Sequence, residues 1–212
     1  MVNTVKLYND DPYLKEFEAK VIEIDGNNVV LVKTAFYPDG GGQAGDTGFL
    51  DENRVLDTKT INSSIIHILE EAPSFKVGDH VSGKLDWDRR YKIMKLHTAS
   101  HMMEYYLWKH FGFAERTGSN VDDRKDRADY AYDERLAPET LKKVEEDTNS
   151  FLLERHNVVI IEDEMGMRNW KCGPVEMHCS GTHVKNTQEV GSIKLKRKNP
   201  GRGEERVETS LA

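Results

Sequence analysis

His97-Thr98-Ala99-Ser100-His101 is answered far downstream by Cys179-Ser180-Gly181-Thr182-His183. Residues four apart on a helix lie one turn above each other on a single face. The first stretch therefore predicts a helix carrying two imidazoles that can close on one ion. The second offers a thiolate and an imidazole at the same spacing. Four nitrogen and sulfur donors in two pairs suit a tetrahedral zinc site.

Around the first pair, Ile93, Leu96, Ser100, Met103 and Leu107 recur every three or four residues. This is one buried stripe, with His97 and His101 along its edge, facing a semi-buried cleft. Asp86 or Asp88 can cap a helix that starts near Arg89, and Gly112 can end it. Met102, Met103, Tyr105, Tyr106 and Trp108 are expected in the core, with no cofactor role.

Upstream, residues 1 to about 85 read as short strands. Val21-Ile22-Glu23-Ile24 and Val29-Val30-Leu31-Val32 flank Asp25-Gly26-Asn27-Asn28, a hairpin signal. Further strands are expected near Arg54–Leu56, Ser64–Leu69 and His80–Leu85, a pattern that favours a small β-barrel-like domain. Within it lies Phe36-Tyr37-Pro38-Asp39-Gly40-Gly41-Gly42-Gln43-Ala44-Gly45-Asp46-Thr47-Gly48. No Gly-Lys-Ser/Thr follows, so it is not a Walker loop, and no helix follows, so it is not a dinucleotide-binding turn. No nucleotide cofactor is expected. Three glycines let backbone approach a ligand or another backbone; a mobile hairpin loop is the alternative.

Downstream, residues 114–136 are charge-dense and read as a solvated loop or strand connection. Thr117-Gly118-Ser119 could offer hydroxyls to a ligand. Pro138 opens a second amphipathic helix through Leu141, Val144, Thr148, Phe151 and Leu152. Val158–Ile161 reads as a strand, Met165-Gly166-Met167 as a turn, and residues 175–195 as short strands around the Cys179/His183 pair. The whole is α+β: residues 1–86 form the N-terminal β-barrel-like domain with its Gly-rich loop, and 87–212 an α+β zinc-binding domain.

The 212 residues are 37% hydrophobic and 32% charged, with a net charge of −7, which argues against a polycation that coats nucleic acid. The basic residues concentrate locally, at Lys194, Lys196, Arg197, Lys198, Arg202 and Arg206. Beside a metal site, such a stretch suits a phosphate backbone; a solvated lysine-rich strand is the alternative. Two cysteines, Cys172 and Cys179, fit a reducing compartment rather than a disulfide framework. No signal-peptide core is visible and no apolar run nears the ~18 residues of a membrane helix, so the expectation is a cytoplasmic protein with no membrane partner.

A zinc peptidase carries a glutamate after the first histidine of such a pair, as general base. Thr98 holds that position here, so the peptidase reading loses its base. Four protein ligands allow a closed, structural site; three plus an open position allow substrate binding. Cys172 and His178 are runner-up ligands. No protein general base is identified.

His-Thr-Ala-Ser-His, Cys-Ser-Gly-Thr-His-Val and Glu189-Val190-Gly191-Ser192-Ile193-Lys194 together resemble the editing domain of alanyl-tRNA synthetase. The chain is most similar to the free-standing AlaX editing proteins, in their intermediate-length form with an N-terminal Gly-rich domain. The Phe36–Gly48 segment, the Thr117–Val121 and Arg127–Tyr130 segments and the C-terminal Gly201-Arg202-Gly203 carry the likeness over nearly the whole chain. With no adenylation domain ahead of it, a synthetase is not expected. One position departs: Glu205 stands before Arg206 where many relatives carry a pair of arginines.

The resemblance implies a C-terminal domain like the second additional domain of synthetases, with one zinc per chain on His97, His101, Cys179 and His183. It implies hydrolysis of mischarged Ser-tRNA(Ala), and of Gly-tRNA(Ala) as a further substrate. An alanine pocket rejects serine weakly, whereas a site that hydrogen-bonds the serine hydroxyl rejects alanine strongly. The substrate contacts it suggests are Gly41, Gln43, Thr117, Gly181 and Thr182, with Thr117 reading the hydroxyl. The tRNA contacts are Lys196, Arg197, Lys198 and Arg202. The rival readings are a non-catalytic zinc-stabilised tRNA-binding module and an editing hydrolase for another mischarged tRNA. Oligomeric state is not legible.

Overall fold

Asp25-Gly26-Asn27-Asn28 reverses the chain between β2 (Glu16–Asp25) and β3 (Asn28–Leu31), with Asp25 opposite Asn28 and Gly26 at φ +59°. β2 buries Phe17, Ala19 and Val21 and exposes Glu16, Glu18 and Lys20, the period of two that a one-sided strand needs. The computed structural model describes residues 4–132, 134–201 and 203–212. It divides into two compact units, Met1–Tyr91 and Lys92–Ala212.

In the first unit, β1 (Val5–Lys6) leads into a short helix α1 (Leu7–Asp10) and pairs in parallel with β4 (Lys33–Thr34). β5 (Gly48–Leu50), β6 (Asn53–Ile61), β7 (Ser64–Leu69) and β8 (His80–Leu85) join β2 and β3. These six strands close a ring in the order β2-β3-β7-β6-β5-β8. Its interior holds Phe17, Val21, Val29, Leu31, Phe36, Leu50, Val55, Leu69 and Val81. His67 lies among them, wholly buried. Its Nδ1 is 3.0 Å from the Val29 carbonyl and its Nε2 2.8 Å from Thr34 Oγ1. Burial lowers its pKa to about 4, so it is a neutral, satisfied core histidine.

The Gly-rich segment is a built turn. Gly40 and Gln43 exchange both backbone hydrogen bonds at 3.1 Å, and Gly41 and Gly42 between them sit at φ +61° and +82°. Two consecutive left-handed residues are what a type I′ turn demands, and side chains resist them. Asp46 anchors the segment. It accepts the Tyr37 N–H and both Nε and Nη2 of Arg90, while Arg90 also donates to the Ala35 and Pro12 carbonyls. Arg90 and Asp46 are each almost fully buried.

α2 (Trp87–Phe111) begins before the expected Arg89. The Asp86 carbonyl accepts the Arg90 N–H, while the Asp86 carboxylate is held by Arg54 and Thr47, not spent as a cap. Gly112, at φ +82°, ends the helix with its N–H on the Trp108 carbonyl.

In the second unit, residues 114–136 depart from the expected loop. They form a hairpin of β9 (Arg116–Val121) and β10 (Asp126–Ala131). The charge density misled because Asp122 spends its carboxylate on the turn, accepting the Arg124 and Lys125 N–H groups. Asp126, Ala128 and Tyr130 alternate inward on β10. β14 (Ile193–Gly201) and β15 (Glu204–Leu211) complete an antiparallel sheet in the order β14-β15-β10-β9. Met103 and Leu107 of α2 pack with Ala128, Tyr130 and Val207 of the sheet and with Leu141 and Val144 of α3 (Pro138–Leu153).

β11 (Val158–Glu162), β12 (Arg168–Cys172) and β13 (Val175–His178) form a separate meander. Regular strand stops there. Among the described residues, 179–186 carry no strand, and a 3₁₀ turn follows at Thr187–Glu189. Asn186 accepts the Gln188 N–H while Glu189 takes the Asn186 N–H, a capping box that diverts this stretch from the strands expected there. No helix among the described residues is long and apolar enough to cross a membrane.

Candidate metal centre

α2 places His97 and His101 one turn apart, with ring centroids separated by 4.9 Å. The loop after β13 brings His183 to 4.3 Å from the His97 ring and 5.0 Å from the His101 ring. Cys179 Sγ lies 3.5 Å from His97 Nε2 and 3.2 Å from His183 Nε2. One donor atom from each residue falls within 4.8 Å of all the others. A tetrahedron with Zn–N of about 2.0 Å and Zn–S of about 2.3 Å has edges of about 3.3–3.6 Å. The two sulfur–nitrogen separations match that scale.

The donor set fits zinc on a second ground. His101 is buried, yet neither of its ring nitrogens has a hydrogen-bond partner among the described residues. Buried polar atoms are rarely left unsatisfied, and a cation at the cluster would satisfy one. Burial lowers the His97 pKa to about 3, with the Arg116 charge adding to the effect. It holds His101 and His183 well below the usual imidazole value too, assisted by the neighbouring imidazoles. All three are thus neutral, the form that ligates. Burial pushes the Cys179 thiol up, opposed by the Gly181 N–H and by Arg116 and Arg168. A dication held here would reverse that balance and favour the thiolate.

The surroundings orient the ligands. Thr98 Oγ1 is 3.2 Å from His183 Nδ1 and accepts the Val184 N–H. With its proton on Nδ1, His183 donates to Thr98 and turns a bare Nε2 to the cluster. The position where a peptidase keeps its base holds a support for a ligand instead. Trp170, fully buried on β12, lies 4.8 Å from the His101 ring and 5.7 Å from His183. It makes one wall of the centre apolar. The runner-up ligands fall outside: Cys172 is buried, with a thiol pushed up to about 11, and His178 is exposed.

The other residues expected at the site scatter. Gly181 and Thr182 are buried between the two downstream ligands. Thr117 is exposed, at the irregularity where β9 skips from Gly118 opposite Asp129 to Arg116 opposite Tyr130. Such a bulge re-aims a side chain. Gly41 and Gln43 belong to the first unit, where Gln43 is buried. On β14, Lys196 and Lys198 are exposed, whereas Arg197 points to the other face and is held by both carboxylate oxygens of Glu205. Arg202 lies outside the described residues.

One group was not anticipated. Glu104 follows His101 by three residues and shares its helix face. Its Oε1 accepts the Tyr130 hydroxyl at 3.2 Å and sits 3.5 Å from Arg116 Nη1. The sequence held a signal for it: His97, His101 and Glu104 keep the i, i+4, i+7 rhythm of one stripe.

Residues 5–89 match the family described as tRNA synthetases class II (A), and residues 171–208 match the threonyl and alanyl tRNA synthetase second additional domain. Those matches, with a helix-borne histidine pair facing a loop-borne cysteine and histidine, define an accessory module of the aminoacyl-tRNA synthetase world. The chain is 41% identical to the alanyl-tRNA editing protein AlaX-M of Pyrococcus horikoshii, over all of both chains. It is 35% identical to an alanine–tRNA ligase of Saccharolobus islandicus and 37% to one of Ignicoccus hospitalis, covering 91% of this chain but 25% and 24% of those enzymes. The chain belongs to the AlaX family of alanyl-tRNA editing proteins.

Proposed function

We propose that this protein is a trans-editing hydrolase that cleaves the aminoacyl ester of Ser-tRNA(Ala), with Gly-tRNA(Ala) as a further substrate. The carrying observation is the convergence of His97, His101, Cys179 and His183, in a chain akin over its full length to a protein named for alanyl-tRNA editing. The four residues would hold one zinc per chain. That ion would supply a Lewis-acid centre that orients or polarises the ester.

The chain's own side chains supply the rest. Thr98 fixes the His183 ring. Trp170 keeps water from one side of the cluster. Thr117 is proposed to read the serine hydroxyl, and the distinction from alanine then rests on a hydrogen bond that alanine leaves unmade. Gly41, Gln43, Gly181 and Thr182 remain the proposed further substrate contacts. Lys196 and Lys198, exposed on β14, are proposed to meet the phosphate backbone. Residues 1–86 and 87–212 are the proposed domains, working in the cytoplasm.

The deciding experiment is a panel of tRNAs charged with serine, glycine, alanine and threonine, mixed with substoichiometric zinc-loaded protein. Catalytic release of serine from Ser-tRNA(Ala), with Ala-tRNA(Ala) spared, supports the reading. Tight binding with no turnover on any substrate would replace it with a tRNA-binding module, and turnover of another pair with another editing specificity.

A further inference from the structure

Arg116 is held differently from Arg206 and Arg197 of the same sheet; Arg127, on β10, lies with its Nε 3.6 Å from Asp129 Oδ2. Arg206 donates Nε and Nη2 to the two oxygens of Asp129, and Arg197 does the same to Glu205. Each of those guanidinium groups has one edge committed to planar, bidentate pairing. Among the described residues, the acid within ion-pair distance of Arg116 is Glu104, with Nη1 nearest at 3.5 Å, and the buried Asp126 also feels its charge. A guanidinium carries five N–H donors, so most of its capacity is unspent. Its side chain is 35% exposed, whereas Glu104 beneath it is 2% exposed.

The direction is set by the helix. His97, His101 and Glu104 lie on one face of α2, so the residue that tethers Arg116 points the same way as the two ligands. The Arg116 charge is felt at His97, His101 and Cys179. Tyr130, opposite Arg116 in the β9–β10 register, fixes the Glu104 carboxylate with its hydroxyl. The result is a buried acid on the ligand-bearing face of α2, hydrogen-bonded by a phenol and lying beside a partly exposed cation.

We propose that Arg116 is a substrate-contact residue that takes an anionic oxygen of the acceptor end of aminoacyl-tRNA, with Glu104 and Tyr130 as its positioning residues. That oxygen belongs either to the terminal phosphodiester or to the ester as its carbonyl becomes an oxyanion. The inference rests on the editing reading above. The chemistry favours it because a free guanidinium fork matches phosphate and carboxylate-like oxygens in pairs. The single tether orients the fork and leaves its other donors available.

The test uses the zinc-loaded full chain. Arg116→Gln should leave zinc content unchanged and should cut kcat/KM on Ser-tRNA(Ala) by about tenfold or more. Arg116→Lys should recover part of the loss. Glu104→Gln should lose less, in the same parameter. Seryl-adenosine, which lacks the phosphodiester, separates the sources. A defect in KM on tRNA that vanishes on seryl-adenosine assigns the phosphate; a defect in the single-turnover rate on both assigns the ester oxygen. Equal rates and equal tRNA affinity for Arg116→Gln and the unaltered protein overturn the proposal. If the unaltered protein deacylates nothing, the editing reading fails, and Arg116 is judged by uncharged tRNA(Ala) alone. A salt slope shallower by about 0.7–0.9 upholds the phosphate contact, and an unchanged slope overturns it.

Discussion

Thr98 and His183 stand 85 residues apart in the chain, yet the threonine hydroxyl lies 3.2 Å from Nδ1 of the histidine. This contact joins the helix-borne pair to the loop-borne pair. With its proton on Nδ1, His183 donates to that hydroxyl and leaves Nε2, 3.2 Å from Cys179 Sγ, bare. Thr98→Val should therefore lower zinc affinity by about 10–100-fold while the helix remains intact, and Thr98→Ser should restore most of it. Competition against a chelating dye reads the affinity directly. Equal affinity for Thr98→Val would reduce the contact to packing.

The two cysteines make a sharper pair. Cys179 belongs to the four-residue cluster and Cys172 does not. Cys179→Ala should lose most of the bound zinc, and Cys172→Ala should keep about one ion per chain. Elemental analysis of the purified variants is sufficient. Loss of metal from Cys172→Ala with retention in Cys179→Ala would contradict the ligand set.

The two long helices, the strands β2, β3, β6, β7 and β8 and the ligand cluster were legible because they rest on local rules, whereas α1 and the short β1, β4 and β5 carry too few residues to show a period. Four-residue spacing put His97 beside His101, and Asp25-Gly26-Asn27-Asn28 announced its hairpin. What escaped depends on partners distant in the chain. Asp122, Asp126 and Asp129 read as solvated charge, but one builds a turn, one is buried and one is paired with Arg206. Arg197 read as a free cation until Glu205, the residue that broke the expected arginine pair, was seen to hold it. The triple glycine read as an approach for ligand, yet two of its members are required by the turn itself.

That pairing divides the basic stretch. Neutralising Lys196 and Lys198 together should flatten the salt dependence of tRNA binding by about 1–2 units in slope, with little change in melting temperature. Arg197→Met should do the reverse, lowering the melting temperature by leaving the buried Glu205 unpaired, with the salt slope little changed. A thermal melt and a salt titration on each variant distinguish the two. If both variants change the slope equally, Arg197 leaves Glu205 to meet RNA.

In the first unit, Arg90 and Asp46 carry the Gly-rich segment. Removing one partner leaves a buried charge uncompensated, which costs about 3–5 kcal/mol. Arg90→Met should show such a loss in urea denaturation. Gly41→Val should also destabilise, because φ +61° strains any β-branched residue. A Gly41→Val variant as stable as the unaltered chain would mean that the turn has another accessible conformation.

The last expectation concerns Asp126, buried on β10. Desolvation raises its carboxyl to about 7, offset in part by the Ser100 hydroxyl and by Arg116, and reinforced by Glu104. Ser100 and Glu104 face it from α2, Arg116 from β9, Tyr130 from its own strand and Thr209 from β15 in register. Its Oδ2 has no hydrogen-bond partner among the described residues. Unfolded, the group titrates near its ordinary value of 3.8. Between those two values the native state keeps a proton that the unfolded chain has released. Native protein thus binds more protons, and stability falls as pH rises through that window. Asp126→Asn removes the titration while keeping an oxygen for Ser100. The variant should match the unaltered protein near pH 4 and exceed it increasingly toward pH 8. The difference between the two urea midpoints, followed across pH, cancels titrations common to both chains. A difference that stays flat from pH 4 to 8 would show that Asp126 ionises in the native state as readily as in the unfolded one.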